Sequence, residues 1–210
     1  MRLYHIVAGI LFGGAMMKPT NGGGMGSSHV LFDFTKLDNV DNWIESSDTV
    51  RTVGMSKAVL ALQKTQVFQR AVFFSLLNPQ PNGAGFAGMR IRTSWDLRNF
   101  DEFRIRCRGQ GENHHYKVVL RHRGQASNDD YEYEHLFDAP MSNTTFSDVV
   151  LPLDGFEAYF RGKKVENPEP LDRADITMFG LQIYGGVYSP FKQSGVSALE
   201  IEQIEACKRT

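Results

Sequence analysis

The chain has 210 residues, with 23 Lys and Arg against 24 Asp and Glu, a formal net charge of −1 and 41% hydrophobic residues. So even a balance excludes a globally basic nucleic-acid binder and an acidic disordered chain, and the apolar content suffices for one full core. Two cysteines exclude a disulfide-dense scaffold and a zinc site of cysteines alone, and no apolar run reaches the roughly 18 residues of a spanning helix.

The first 28 residues differ from the rest. Arg2 precedes an apolar stretch over residues 6–17, in which Gly13-Gly14-Ala15 offers small residues for cleavage, and Lys18-Pro19 leads into a Gly-rich linker. The segment reads as a targeting sequence, either a secretory signal or, given that the chain's first acid is Asp33, a mitochondrial presequence, with an uncleaved tail as the remaining alternative. Residues 29–206 are expected to form one domain, with 207–210 as a tail.

From Leu31 onward the dominant period is two. Strands are expected at 30–34, 56–62, 67–77, 89–92, 103–108, 116–123, 131–137, 149–153, 176–184 and 199–202. Phe103-Arg104-Ile105-Arg106-Cys107-Arg108 and Tyr131-Glu132-Tyr133-Glu134 show the alternation of a strand with one dry and one wet face. Asn78-Pro79-Gln80-Pro81-Asn82-Gly83, Gly109-Gln110-Gly111 and Gly185-Gly186 mark turns between them. Short helices are expected at 40–45 and 155–160. About ten short strands without βαβ alternation point to an all-β antiparallel β-sandwich or jelly roll.

Charge is segregated along the chain. Residues 89–123 carry nine basic groups against four acids, and residues 129–172 carry eleven acids against three basic groups. Arg90 and Arg92 share a strand face, as do Arg104, Arg106 and Arg108, and Lys117, Arg121 and Arg123 share another. Side by side, these strands would form a lattice of cations able to dock an acidic partner, since guanidinium groups bind carboxylates bidentately. The alternative is internal neutralisation: a hairpin of 116–123 with 131–137 would set Glu132 and Glu134 against Arg121 and Arg123.

Catalytic and metal signatures are missing. No G-x-S-x-G or H-E-x-x-H occurs. The glycines of 83–88 precede a strand rather than a helix, so they suit close packing, not phosphate. His114 and His115 are adjacent and would face opposite ways on a strand, while His122 lies eight residues from His114, about 26 Å along an extended chain. No metal, cofactor or catalytic group is therefore expected. Asn143-Thr144-Thr145 fits the N-glycosylation pattern if the chain is secreted. Cys107 and Cys207 would either pair in an oxidising compartment or remain two reduced, partly buried thiols.

Several motifs recur in a fixed order: Leu31-Phe32-Asp33-Phe34, Trp43, Ser47-Asp48, Gly85-Phe86-Ala87-Gly88-Met89-Arg90, and Trp95-Asp96-Leu97-Arg98-Asn99-Phe100-Asp101 running on through Gly111. Leu151-Pro152-Leu153, Arg161-Gly162, Pro170-Leu171-Asp172, Gly180 and Pro190-Phe191 follow. Over residues 31–206 this order resembles the complex I intermediate-associated protein 30 family. The resemblance implies a galactose-binding-domain-like β-sandwich, related in shape to carbohydrate-binding modules, with no catalytic residues and no required cofactor. It implies a chaperone-like role in respiratory complex I assembly, with a protein partner held on a sheet face. A secreted carbohydrate-binding module is the competing expectation, with Trp95, Tyr131, Tyr133, Tyr159, Tyr184 and Tyr188 as available rings, although Tyr131 and Tyr133 should face inward.

Overall fold

A computed structural model describes residues 27–127 and 129–209. The expected targeting segment lies almost wholly outside the described residues. Thirteen strands follow in order: β1 (Ser28–Asp33), β2 (Ile44–Glu45), β3 (Lys57–Lys64), β4 (Gln69–Leu77), β5 (Phe86–Trp95), β6 (Glu102–Gly111), β7 (His115–His122), β8 (Glu132–Asp138), β9 (Ser147–Pro152), β10 (Glu157–Phe160), β11 (Lys163–Lys164), β12 (Ile176–Tyr184) and β13 (Gly195–Cys207).

They form two antiparallel sheets. One has six strands in the order β3-β4-β13-β6-β9, with β1 added beside the C-terminal half of β13. The other has seven, β11-β10-β8-β7-β12-β5-β2. The long strand β13 organises the first sheet. Residues 195–201 pair with β4, a bulge at Glu202 follows, and residues 203–207 pair with β1. One extra residue bends a strand and re-aims its neighbours, which lets one strand serve two partners on the same side.

The expected alternation decides which residues meet between the sheets. Phe73, Phe103, Ile105, Cys107, Leu199, Ile201 and Ile204 project from one sheet; Tyr116, Val118, Leu120, Phe179, Leu181 and Ile183 project from the other, and all are buried. Full burial of such side chains stabilises by about 1.5–3 kcal/mol each. Phe32, Trp43, Trp95 and Phe103 gather around Phe179 with ring centroids 5.7–6.0 Å away. Trp95 is therefore packed against the core and does not offer its ring to a sugar.

The two expected helices are not present. Residues 44–45 form β2, and residues 155–160 divide between a 3₁₀ turn (Leu153–Gly155) and β10. Stretches this short cannot offset helix nucleation, and sheet edges needing backbone partners capture them instead.

Asp48 clamps the loop between β2 and β3. Its buried carboxylate accepts hydrogen bonds from the Ser56 N–H (2.9 Å), the Ser56 hydroxyl (2.8 Å) and the Phe86 N–H (3.2 Å). A Cβ at Gly54 would sit 2.0 Å from the Asp48 carbonyl oxygen, so only glycine lets the chain pass there. The Ser-Asp pair and the following glycine are thus structural.

Candidate functional site

Alternation places the basic residues on the outer faces, as expected, but not side by side. Arg104, Arg106 and Arg108 lie on β6 in the six-stranded sheet. Arg90, Arg92, Lys117 and Arg121 lie on β5 and β7, either side of β12 in the seven-stranded sheet. The expected single lattice is split between opposite sides of the sandwich, because β6 and β7, consecutive in sequence, belong to different sheets.

Six of the eight basic groups already have carboxylates. Arg104 meets Glu102 (3.5 Å), Arg106 meets Glu202 (3.1 Å) and Asp148 (3.4 Å), and Arg108 meets Glu200 (3.0 Å). Lys117 meets Glu134 (2.5 Å), Arg121 meets Glu132 (3.4 Å), and Arg123 meets Asp172 (2.9 Å) and Glu169 (3.0 Å). The β7–β8 hairpin forms as expected, with Glu134 engaging Lys117 in place of Arg123. Burial pushes the Glu134 carboxyl above the usual carboxylate range, and Lys117 opposes that shift.

On the six-stranded face the network centres on Glu200. One oxygen takes Arg70 at 2.6 Å and Arg108 at 3.0 Å, and the other accepts from the Gln110 amide at 3.2 Å. The Phe146 ring lies 4.7 Å from the Arg108 guanidinium.

Beside that network lies an apolar patch the sequence reading missed. Val59, Phe74, Leu76 and Val196 are 52%, 47%, 45% and 70% exposed. They are neighbours by register: Val59 opposes Phe74, and Leu76 opposes Val196. With Glu45, Lys57 and Ser75 they line an open groove of about 440 Å³. A signal was available, since Val72-Phe73-Phe74-Ser75-Leu76-Leu77 is apolar at five of six positions and breaks the alternation that marks a half-buried strand.

The outer face of the seven-stranded sheet is different. Tyr184 and Tyr159 are half-buried there, with Lys117, Glu134 and Gln182 nearly buried. The Lys117 ammonium lies 5.9 Å from the Tyr184 ring centroid. Burial, with Asp138 and Glu134 nearby, pushes the Tyr184 phenol up to about 12. Tyr133 is in the core as expected, its hydroxyl donating to the Glu169 carbonyl at 2.7 Å, and Tyr131 packs against it.

His114 and His115 correct the parity argument. His114 precedes β7, so strand alternation does not separate the two rings, whose centroids lie 4.0 Å apart. Asp138, paired with His115 across β7 and β8, joins them.

Cys107 and Cys207 are both free, and their pairing is excluded by register. Cys107 opposes Ile201 and faces the core, whereas Cys207 opposes Glu102 and belongs to the other sheet face. Five residues of strand place them roughly 17 Å apart, beyond the ~7 Å a disulfide spans. Asn143 is exposed in the loop between β8 and β9, and its carbonyl accepts from Arg108 at 2.9 Å.

The family model for complex I intermediate-associated protein 30 matches residues 32–201. This chain belongs to that family. Among curated proteins, a sequence search finds no match. Solved structures share the fold at low identity. A family 11 carbohydrate-binding module from Clostridium thermocellum, solved with a β-1,3-1,4-mixed-linked tetrasaccharide, is 12% identical at a TM-score of 0.62, covering 89% of this chain and 98% of that one. A family 30 carbohydrate-binding module of the cellulosomal cellulase Cel9D-Cel44B of the same organism is 8% identical at 0.55, covering 88% and 99%. An exo-β-agarase is 10% identical at 0.53, covering 87% of this chain and 25% of that one. The complex I intermediate-associated protein 30 domain of this chain therefore shares its β-sandwich fold with these modules, and its Ser47-Asp48 and Gly85 to Arg90 motifs meet at the Asp48 clamp.

Proposed function

We propose that this member of the complex I intermediate-associated protein 30 family is a non-catalytic module that holds a polypeptide of a complex I assembly intermediate against its six-stranded sheet. The observation that carries this reading is the exposed row of Val59, Phe74, Leu76 and Val196. An apolar patch across three strands, rimmed by charge, has the composition of a protein interface core. The Arg70–Glu200–Arg108 network at its border is too well satisfied to recruit an acidic partner; it supports the rim instead.

The test is replacement in cells. Cells lacking the chain should lose mature complex I, and wild-type chain should restore it and comigrate with a subcomplex on native gels. The Phe74→Ser/Leu76→Ser variant should fold with an unchanged unfolding midpoint yet neither comigrate nor restore. Normal complex I without the chain, or full rescue by the variant, would defeat the reading.

A second reading rests on the opposite face. Tyr184 and Tyr159 beside Lys117, Glu134 and Gln182 combine rings for stacking with polar groups for hydroxyls, as a saccharide requires. Affinity electrophoresis in mixed-linkage β-glucan tests it: retardation abolished by Tyr184→Ala supports it, and unretarded migration of the wild type removes it.

A further inference from the structure

At the margin of the seven-stranded sheet, three side chains converge that neither reading above uses. The ligand-capable atoms of His114, His115 and Asp138 lie within 4.8 Å of one another. Nδ1 of His115 is 2.5 Å from Oδ1 of Asp138.

The backbone beneath them is fixed. The side chain of Gln193, 5% exposed, accepts at Oε1 from the N–H groups of His114 (3.1 Å) and His115 (2.9 Å). Its Nε2 donates to the carbonyls of His115 and Tyr184, both at 2.9 Å. The Ala139 N–H donates to the His114 carbonyl at 2.8 Å, tying the end of β8 to the start of β7. The His115 ring lies flat on Phe191, centroids 3.7 Å apart. A buried amide thus fixes the backbone of both histidines and a stacked ring fixes the His115 imidazole, which is how supporting contacts orient metal ligands.

We propose that His114, His115 and Asp138 bind one divalent transition-metal ion of the zinc class. Two imidazoles and one carboxylate are the donor set of a tetrahedral site with an open fourth position, which solvent fills at this exposed margin. A calcium or magnesium ion needs about six oxygens, and the cluster offers one carboxylate. Metal–ligand bonds of about 2.0–2.2 Å separate ligand atoms by roughly 3.3 Å. The His115–Asp138 contact must therefore open slightly, and Asp138, with its side chain 70% exposed, is free to turn. The ion would take the place of the direct His115–Asp138 contact and staple the start of β7 to the end of β8.

The test uses the purified full chain, stripped with chelator and titrated at pH 7.5. Calorimetry should give one Zn²⁺ per chain, and Co²⁺ should give the visible absorption of a tetrahedral site, displaced by Zn²⁺. His114→Gln and Asp138→Asn should each weaken Zn²⁺ binding at least tenfold, while His135→Gln leaves it unchanged. Zn²⁺ should also raise the unfolding temperature of the wild type and not of Asp138→Asn, whose metal-free unfolding should match the wild type. No saturable Zn²⁺ binding, wild-type affinity in both cluster variants, or Ca²⁺ binding as tight as Zn²⁺ would overturn the proposal.

Discussion

Asp48, His122 and the two cysteines show how local chemistry becomes stability and reactivity. Asp48→Ala would strand two buried donors on Ser56 and one on Phe86. Each unsatisfied buried donor costs about 1–3 kcal/mol, so urea unfolding should show a loss of about 3 kcal/mol or more. His122 is fully buried, and its Nδ1 accepts the Asp172 N–H at 2.7 Å, so it is held neutral. Burial, then the Arg123 charge, lowers its pKa, with Asp172 and Glu169 opposing. The unfolded chain takes up a proton near pH 6.5 and the folded chain only at lower pH, so stability falls as pH drops below that value. Urea midpoints at pH 7.5 and 5.5 should diverge in the wild type and converge in His122→Gln; equal slopes would contradict this. Burial pushes the Cys107 thiol up to about 12 and also raises Cys207. A thiol reagent at pH 7.5 should modify neither in the native chain and both after unfolding.

At the level of strands, the expected segments 103–108, 116–123 and 176–184 correspond closely to β6, β7 and β12. Phe103, Ile105 and Cys107 show the period two of one buried face, while β7 and β12, interior strands of their sheet, are buried along almost their whole length. β2, β10 and β11 escaped notice because two to four residues carry no period; their pairing partners make them strands. The ion pairs across strands differ sharply in weight. Glu200, at 9% side-chain exposure, neutralises both Arg70 and Arg108, so Glu200→Ala leaves two nearly buried guanidiniums unpaired. Breaking such a pair costs about 3–5 kcal/mol. Arg106 is 47% exposed, and exposed pairs contribute about 0–1 kcal/mol. Denaturant unfolding of Glu200→Ala and Arg106→Ala should separate the two by about 3 kcal/mol; equal effects would show that the network does not act as drawn.

Across the molecule, two broad faces differ in kind. One is apolar with a satisfied charged border, and the other is polar with half-buried tyrosines. Protein and saccharide readings therefore make separable predictions, since Phe74→Ser/Leu76→Ser and Tyr184→Ala lie on opposite sides of one core.

The order of polar and apolar residues alone determined that this chain is an antiparallel all-β sandwich, that Phe103, Ile105, Cys107 and Tyr133 face its core, and that β7 and β8 form a hairpin with glutamates set against its basic residues. These follow from local geometry, because side-chain direction alternates along any strand regardless of its neighbours. Sheet membership is set by long-range pairing, and only the folded chain decided it. That pairing parted β6 from β7 and divided the arginines between two faces. It also held Cys107 and Cys207 on opposite sides of one sheet, assembled the Val59–Phe74–Leu76–Val196 patch from three strands, and brought His114, His115 and Asp138 together where the strand begins. Contacts between residues far apart in sequence depend on which strands the whole core selects as neighbours, and no local period encodes that choice.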